Sequence, residues 1–338
     1  MKLKEFAKEV GLSPTTVSRA LSGYPEVSET TRARVVEEAL RLGYRPNVNA
    51  VRLKTGRVGA IGVIMGRAGE FHFAEFMAGM AERLASEDTD ILVIPMADRD
   101  NNEELLTYRR LAESRRVDAI IVHSPKPNDP RIELLDRLGI PFFVHGRSDI
   151  AIPHAWLDID NEGAIRRSTE HLLDLGHRRI AMINGRKGLT YSIHRDIGFR
   201  KAFEERGLEH DAQLIAHDTF TDELGFRHAR FFLENTNPPT AFVAGSMMTA
   251  LGVYRAARSL GLQIGEDVSV IAHDDVFPYL TAENMAPSLS ASRSSMRAAG
   301  ARCADLTLQL LAGRPVSDIH ELWPVELNLR ESTRALRQ

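Results

Sequence analysis

The chain has a single cysteine in 338 residues. One thiol, Cys303, rules out an internal disulfide framework and any multi-cysteine metal site. Its Ala-rich helical setting predicts an inert core position. No apolar run approaches the length that a membrane span needs, so no membrane partner is expected. The opening stretch MKLKEFAKEVG is amphipathic and has no apolar signal region, so the expectation is a cytoplasmic protein. There is no short-period repeat, no low-complexity tract and no phosphate loop, because GRKG at 185–188 lacks the full spacing. His171, His177 and His194 show no metal-ligand spacing. His273, Asp274 and Asp275 are adjacent, and neighbours on a strand point to opposite faces. These absences argue against an enzyme and call for no cofactor or metal. What remains is 43% hydrophobic and 26% charged, ordinary globular composition. The length suits a small domain with one or two larger ones.

Charge divides the chain. Residues 1–57 hold eleven Lys+Arg and six Asp+Glu, a surplus of five positive charges. The whole chain is −3, so the remainder carries −8. A basic head on an acidic body is the electrostatic footprint of a DNA reader.

The head has the pattern of a helix-turn-helix, LKEFAKEVGLSPTTVSRALSG from Leu3. Ala7 gives a small residue where two helices cross. Gly11 supplies the positive φ that the turn needs, and Val17 is the branched anchor facing back. Ser13 is an N-cap and Pro14 a preorganised first helical residue, so the second helix is predicted from Pro14 to about Leu21. Its start would enter the major groove with Pro14, Thr15 and Thr16. Arg19 is placed to contact guanine, worth roughly 1–3 kcal/mol of discrimination. Thr16 and Ser18 suit phosphate contacts, which position without specifying. A third helix follows, capped by Ser28 with Glu29 at its positive end. Val35, Val36, Ala39 and Leu42 are expected to form one apolar stripe, and Gly43 ends the helix. Next, YRPNVNAVRLKTG holds a short basic stretch too small to be a stable helix alone. Such segments can fold on DNA and push an apolar wedge between bases.

TVSRALSG, the Ser28 helix, GYRPN and Ala50-Val51-Arg52-Leu53 together resemble the LacI/GalR family of bacterial repressors, and the likeness runs nearly the length of the chain. The resemblance implies that Leu53 intercalates with Ala50 beside it in the minor groove. Asn47 and Lys54 join the DNA-contacting set. Val51 stands where the family usually has arginine. FHFAEFMAGMAE and the HGR stretch are similar to repressors of α-glucoside uptake operons.

Behind the head, strand and helix patterns alternate. Strand candidates are 58–64, 90–95, 118–122, 141–145, 179–183, 213–217, 240–245 and 268–273. Continuous apolar strands with crossover helices mean parallel sheets buried on both faces. The expected fold class is therefore α/β, a helix-turn-helix headpiece on a two-lobed, periplasmic-binding-protein-like body of doubly wound sheets. Expected boundaries are 1–45 for the headpiece, 46–56 for the hinge helix and 57–338 for the body. Lobe 1 would take 57–157 and 289–320, and lobe 2 158–288 and 321–333. The family implies three crossings between lobes, near residues 158, 288 and 320.

In doubly wound sheets ligands bind at the carboxyl ends of strands, so two facing lobes would enclose a cleft. The resemblance places His72, Phe73 and Ser124 against the effector. Gly146 removes an acid common in the family, and Arg147 follows it. On the second lobe it implies Arg195, whose fork can hold two ligand oxygens, Phe220 as an aromatic platform, and Asp274 as the acidic contact to hydroxyls. Ser246 stands where the family usually has an Asn-Asp pair, and Arg293 falls near a site position. The implied function is a homodimeric repressor reading near-palindromic double-stranded operator DNA. A small-molecule effector, a mono- or disaccharide such as an α-glucoside, would switch its affinity. The alternative is control by a protein coregulator or a non-sugar corepressor. The stretch LNLRESTRALRQ lacks the heptads of a tetramerising coil, which favours a dimer.

Overall fold

The computed structural model describes residues 1–21, 24–44, 57–65, 71–96, 101–274 and 277–336, with backbone alone at 71, 101 and 274. These residues form two compact units, Met1–Gly59 and Ala60–Gln338.

The first unit holds three helices: α1 (Leu3–Val10), α2 (Pro14–Leu21) and α3 (Glu29–Leu42). Gly11 caps α1 at φ 67°, a left-handed setting that costs glycine little. The Ser13 hydroxyl accepts from the Thr16 amide at 3.0 Å and so caps α2. Ser28 caps α3 by accepting from the Thr31 amide. Phe6, Ala7, Val17, Ala20 and Val35 are almost fully buried in one small core. Phe6 stacks on Tyr44 at 4.2 Å. Each large side chain buried in this way contributes roughly 1.5–3 kcal/mol. The expected stripe on α3 needs one correction. Val36 is 42% exposed, because one residue is about 100° of helical turn and carries it off the Val35–Ala39–Leu42 line.

The second unit is two stacked α/β lobes, each built on a six-stranded sheet. Lobe 1 contains β1 (Ala60–Met65), α4 (Phe71–Leu84), β2 (Asp90–Pro95), α5 (Asn101–Glu113), β3 (Ala119–His123), α6 (Pro130–Leu138), β4 (Phe142–His145) and β5 (Ala155–Ile159). The chain then enters lobe 2. There lie α7 (Asn161–Asp174), β6 (Ile180–Asn184), α8 (Thr190–Glu204), β7 (Ile215–His217), α9 (Asp222–Leu233), β8 (Ala241–Ala244), α10 (Met247–Ser259), β9 (Ser269–Asp274) and β10 (Ser290–Arg293). It returns to lobe 1 for α11 (Met296–Leu311) and β11 (His320–Trp323), and ends in lobe 2 with β12 (Glu326–Asn328).

The lobe 1 sheet runs β11-β5-β4-β3-β1-β2, every pair parallel. The lobe 2 sheet runs β12-β10-β9-β8-β6-β7, parallel except for the antiparallel edge strand β12. Its central strands β6 and β8 are buried at every residue, as strands covered by helices on both faces must be. Strand membership puts the three crossings at 160, 294–295 and 324–325, later than expected. β10, expected in lobe 1, pairs with β9 in lobe 2. β11, expected in part beyond lobe 1, pairs with β5 inside it. The predicted strand at 213–217 shortens to β7, because the Asp211 carboxylate caps a turn at 212–214.

Three helix pairs meet backbone to backbone at glycine. A Cβ on Gly79 of α4 would collide with the carbonyl oxygen of Arg297 on α11, and one on Gly300 with that of Phe76. Gly198 of α8 lies against Glu162 of α7 in the same way, and Gly225 of α9 against Thr249 of α10. Each pair lies within one lobe.

Candidate functional site

In the first unit, Ser13, Pro14 and Thr15 at the start of α2 are exposed, as is Arg19 one turn on, while Thr16 and Ser18 are half-buried. The opposite face carries Val17 and Ala20 into the core. The helix therefore shows water a short hydroxyl-rich N-terminus with one arginine, the chemistry of groove reading. Asn47, Ala50, Leu53 and Lys54 lie outside the described residues.

In the second unit a cleft of about 810 Å³, its open mouth included, lies between the lobes. It is lined where strands end: by His123 at the end of β3 and Ser124 after it, His145 at the end of β4, Asp158 and Ile159 in β5, Thr219 and Phe220 after β7, and His273 in β9. Helix starts complete it, with His72 on α4, Asn161 on α7, Tyr191 and Arg195 on α8, and Met296 on α11. Arg186 and Leu189, from the loop between β6 and α8, close the lobe 2 side.

Arg195 is 5% exposed, and its fork is held by the protein. Its Nε donates to Asn161 Oδ1 at 2.8 Å and one terminal nitrogen donates to the Gly245 carbonyl at 2.7 Å. The guanidinium lies over the rings of Tyr191 and Phe220, at 5.2 and 5.5 Å. The negative faces of both rings attract its charge. Phe220 remains half-exposed, an apolar plate in the cleft wall. His72 reaches over from lobe 1, its ring 5.7 Å from Phe220 and 5.2 Å from Phe277.

Lobe 1 supplies a histidine pair. His145 Nδ1 and His123 Nδ1 are 2.8 Å apart. Phe76 stacks on His145 at 4.6 Å and tilts against His123 at 5.2 Å. Burial pushes the His145 pKa down to about 4, because a low-dielectric site disfavours the charged ring. Beside them Ser124 sits at φ 49°, a setting that needs support from its surroundings. Arg131 gives it, donating to the His123 and Ser124 carbonyls at 3.3 and 3.2 Å while Asp129 holds the same guanidinium.

The lobes also touch directly. Thr190 donates its amide and its hydroxyl to the Pro125 carbonyl, at 2.9 and 3.0 Å. Arg147 donates to Asp158 at 2.8 Å and lies 3.4 Å from His194 on the other lobe. Burial, and then the Arg147 charge, lower the His194 pKa.

Of the expected effector residues, His72, Ser124, Arg195 and Phe220 line one cleft. Phe73 does not: it is 7% exposed in the lobe 1 core, edge-on to His123. Ser246 is fully buried as the N-cap of α10, its hydroxyl accepting from the Thr249 amide. Arg293 is outside the lining and exposed, 4.0 Å from Glu283, and Arg147 is engaged with Asp158 at the cleft's edge. The Asp274 side chain lies outside the description, though its backbone ends β9 in register with Arg293. At position 146 an acid has no room. Gly146 adopts φ 116°, and a Cβ there would stand 2.5 Å from Pro125 Cδ. Sequence reasoning missed Asp158, Asn161, Tyr191, His145 and Met296. Among the described residues no cluster fit for a metal occurs, and no helix is long and apolar enough to cross a membrane.

Residues 2–47 match the model for bacterial regulatory proteins of the lacI family, and residues 169–333 that for a periplasmic binding protein-like domain. The HTH-type transcriptional regulator AglR of Rhizobium meliloti is 47% identical over 339 residues, covering 98% of this chain and 94% of that protein. RafR of Escherichia coli, also an HTH-type transcriptional regulator, is 34% identical over 96% of each. Among solved structures, a lac repressor dimer bound to operator and the anti-inducer ONPF matches with TM-score 0.84 and 25% identity over 99% of both chains. A CelR–cellobiose complex matches with TM-score 0.72 and 26% identity, over 98% of this chain and 99% of that one.

Proposed function

We propose, for a chain that belongs to the lacI family of bacterial regulatory proteins, the function of a dimeric transcriptional repressor whose hold on operator DNA is switched by a sugar in the interlobe cleft. The relatives are transcriptional regulators. One observation carries the proposal. The same polypeptide holds a helix-turn-helix with an exposed α2 start and a body whose cleft is walled by the carboxyl ends of two facing sheets. A cleft with an aromatic plate and several polar side chains in its wall suits a mono- or disaccharide. Phe220 offers an apolar plate for a sugar face, while Ser124 and Thr219 offer hydroxyls to bond its own. The cellobiose-bound neighbour favours a glucoside.

The mechanism is a two-state equilibrium. A ligand shifts it only by binding the two lobe arrangements unequally. A sugar touching His72 and Ser124 on one lobe and Phe220 and Arg195 on the other meets that condition, because any lobe displacement changes one set of contacts against the other. In DNA reading, Arg19 supplies base discrimination, while Ser13, Thr16 and Ser18 position the helix on the backbone. The protein acts in the cytoplasm, where its operator is.

Fluorescence anisotropy on a labelled palindrome from the adjoining promoter tests the proposal, at fixed salt because phosphate contacts make affinity salt-dependent. Tight binding that maltose, trehalose or sucrose alters is the expected result. Tight binding indifferent to every sugar would overturn the sugar assignment, and no specific binding would overturn the repressor.

A further inference from the structure

The backbone that changes lobe at residue 160 is tied to the cleft wall by one side-chain amide. Asn161, the first residue of α7, is 4% exposed. Its Nδ2 reaches back across the crossing into β5. It donates there to the Ile159 carbonyl at 3.0 Å and to Asp158 Oδ1 at 3.4 Å. Its Oδ1 accepts from Nε of Arg195 on α8 at 2.8 Å. The amide has one orientation here, because a guanidinium carries donors and no acceptor. Turned over, it would set N–H against N–H on one side and oxygen against oxygen on the other.

The two halves of this amide answer to different lobes. Asp158 and Ile159 belong to the lobe 1 sheet, in register with β11, and Arg147 holds the other oxygen of Asp158 at 2.8 Å. Arg195 belongs to lobe 2, where it also donates to the Gly245 carbonyl and lies over the Phe220 ring. Rotation of the backbone at 160 changes the Nδ2 bonds and leaves the Oδ1 bond alone, since Asn161 and Arg195 travel with the same lobe. The bond to Ile159 is therefore a stop on that rotation. The guanidinium beside the aromatic plate sets where the stop stands.

Other bonds at the crossings run elsewhere. The Asp160 amide donates to the Trp323 carbonyl at 2.9 Å, and Arg167 bridges Asp160 and the Val325 carbonyl at 3.4 and 2.7 Å. These join the first and third crossings, and neither Asp160 nor Arg167 lines the cleft. Ser294, at the second crossing, meets Nε2 of His273 at 2.8 Å, a bond that stays within lobe 2. Asn161 both spans a crossing and continues to the plate.

We propose that Asn161 is a positioning residue, through which a sugar seated on Phe220 sets the angle between the lobes. It acts through Arg195 on one side and the Ile159 carbonyl on the other. The proposal rests on the reading of the cleft as a sugar site that switches operator binding. A ligand that moves the Phe220–Arg195 stack shifts the amide, and the shifted amide gives up or regains its hold on β5. That supplies the unequal binding of two lobe arrangements that a switch requires.

The test uses the full-length protein and reads the ratio of operator affinities with and without saturating sugar, by anisotropy at fixed salt. Maltose, trehalose and sucrose are the probes, and isothermal titration on each variant sets the saturating concentration. In the parent, one of them should change operator affinity by about 5- to 150-fold, the usual span of a coupling between sites. Asn161→Asp keeps an oxygen for Arg195 but turns the other against the Ile159 carbonyl and Asp158. Asn161→Ala removes both bonds. Each should still bind the sugar and bring the ratio to within about 2-fold of unity. Phe199→Leu thins the lobe 2 core away from the cleft. It should lower the melting temperature and leave the ratio at the parent value. Hydrogen exchange at residues 160–163 should respond to sugar in the parent and not in Asn161→Ala. Should Asn161→Asp fail to fold, Asn161→Ala and the exchange pattern decide. A parent-level ratio in the Asn161 variants, or an equal loss in Phe199→Leu, would overturn the assignment, since a merely structural amide moves stability alone. Loss of all sugar binding in Asn161→Ala would make the residue a binding contact and overturn it as well. If no sugar changes the parent's operator affinity, the sugar-switch reading itself falls, and this assignment with it.

Discussion

Replacing Gly146 by alanine should strain lobe 1 and loosen its contact with lobe 2. Gly146 holds φ 116°, a backbone setting that costs a side-chain-bearing residue about 1–3 kcal/mol. Separately, the new Cβ would stand 2.5 Å from Cδ and 2.9 Å from Cγ of Pro125. Overpacking of this kind costs about 1–3 kcal/mol. Gly146→Ala should therefore lower the unfolding free energy by roughly 2–6 kcal/mol. The two contributions can be separated, because the clash is with the proline ring. The next Pro125 atom, its backbone nitrogen, lies 3.8 Å away, so Pro125→Ala removes the clash and leaves the backbone strain. The Pro125 carbonyl is also the acceptor for Thr190 of lobe 2, so a displaced Pro125 weakens the lobe contact. Urea unfolding of the parent, both single variants and the double should reveal a favourable coupling of about 1–3 kcal/mol. Hydrogen exchange should show the Thr190 amide less protected in Gly146→Ala and restored in the double. Strictly additive costs, or an unchanged Thr190 amide, would refute the reasoning.

Two further predictions concern buried charge. Arg195→Met keeps much of the side chain's bulk but removes the fork, leaving Asn161 Oδ1 and the Gly245 carbonyl without their donor. A drop of about 2–4 kcal/mol is expected, since each buried acceptor left alone costs about 1–3 kcal/mol. A differential scanning trace with an unchanged melting temperature would rule out the structural role. The second is a pH profile. Burial holds the His145 pKa at about 4, below its unfolded value of about 6.5, so the unfolded chain binds the extra proton. The stability due to this neutral ring is full above pH 6.5 and lost as pH falls from there to 4, by at most about 3 kcal/mol. His171, His177 and His194 are lowered too, chiefly by burial, and act in the same direction. Urea midpoints from pH 7.5 to 4 should fall, and His145→Phe should flatten the fall. Parallel profiles for the two proteins would contradict it.

The fold was readable where one physical signal dominated. β3, β6 and β8 are short apolar runs because helices cover both faces of each sheet. The turn at Gly11 and the caps Ser13 and Ser28 are local chemistry. β10, with the sequence Ser-Ala-Ser-Arg, hid itself because small polar residues are buried there by hydrogen bonds rather than apolarity. Ser290 and Ser292 bond Thr333 and His273. Missing β10 and β11 misplaced two crossings. The cleft was half legible. His72, Ser124, Arg195 and Phe220 came from likeness to the family, and so did Phe73 and Ser246, which the fold uses as core and cap. The overlooked His145 and Asp158 stand at the ends of strands, a position that sheet topology alone marks for ligand contact. Asn161 carried no signal in the sequence, since its value lies in the bond it accepts from Arg195.

The glycine contacts between helices bear on how the lobes can move. Where two backbones touch with no side chain between them, one helix cannot glide past the other without carbonyls colliding. Gly79 and Gly300 lock α4 to α11 in this way, and Gly198 and Gly225 lock the helix pairs of lobe 2. Shear at these three pairs, the small sliding of packed helices that many proteins use to change shape, is therefore opposed. Displacement of one lobe against the other has to be taken up as rotation in the backbone at 160, 294–295 and 324–325. A few dihedral angles at three neighbouring chain crossings would then carry the switch, with these helix pairs moving as units.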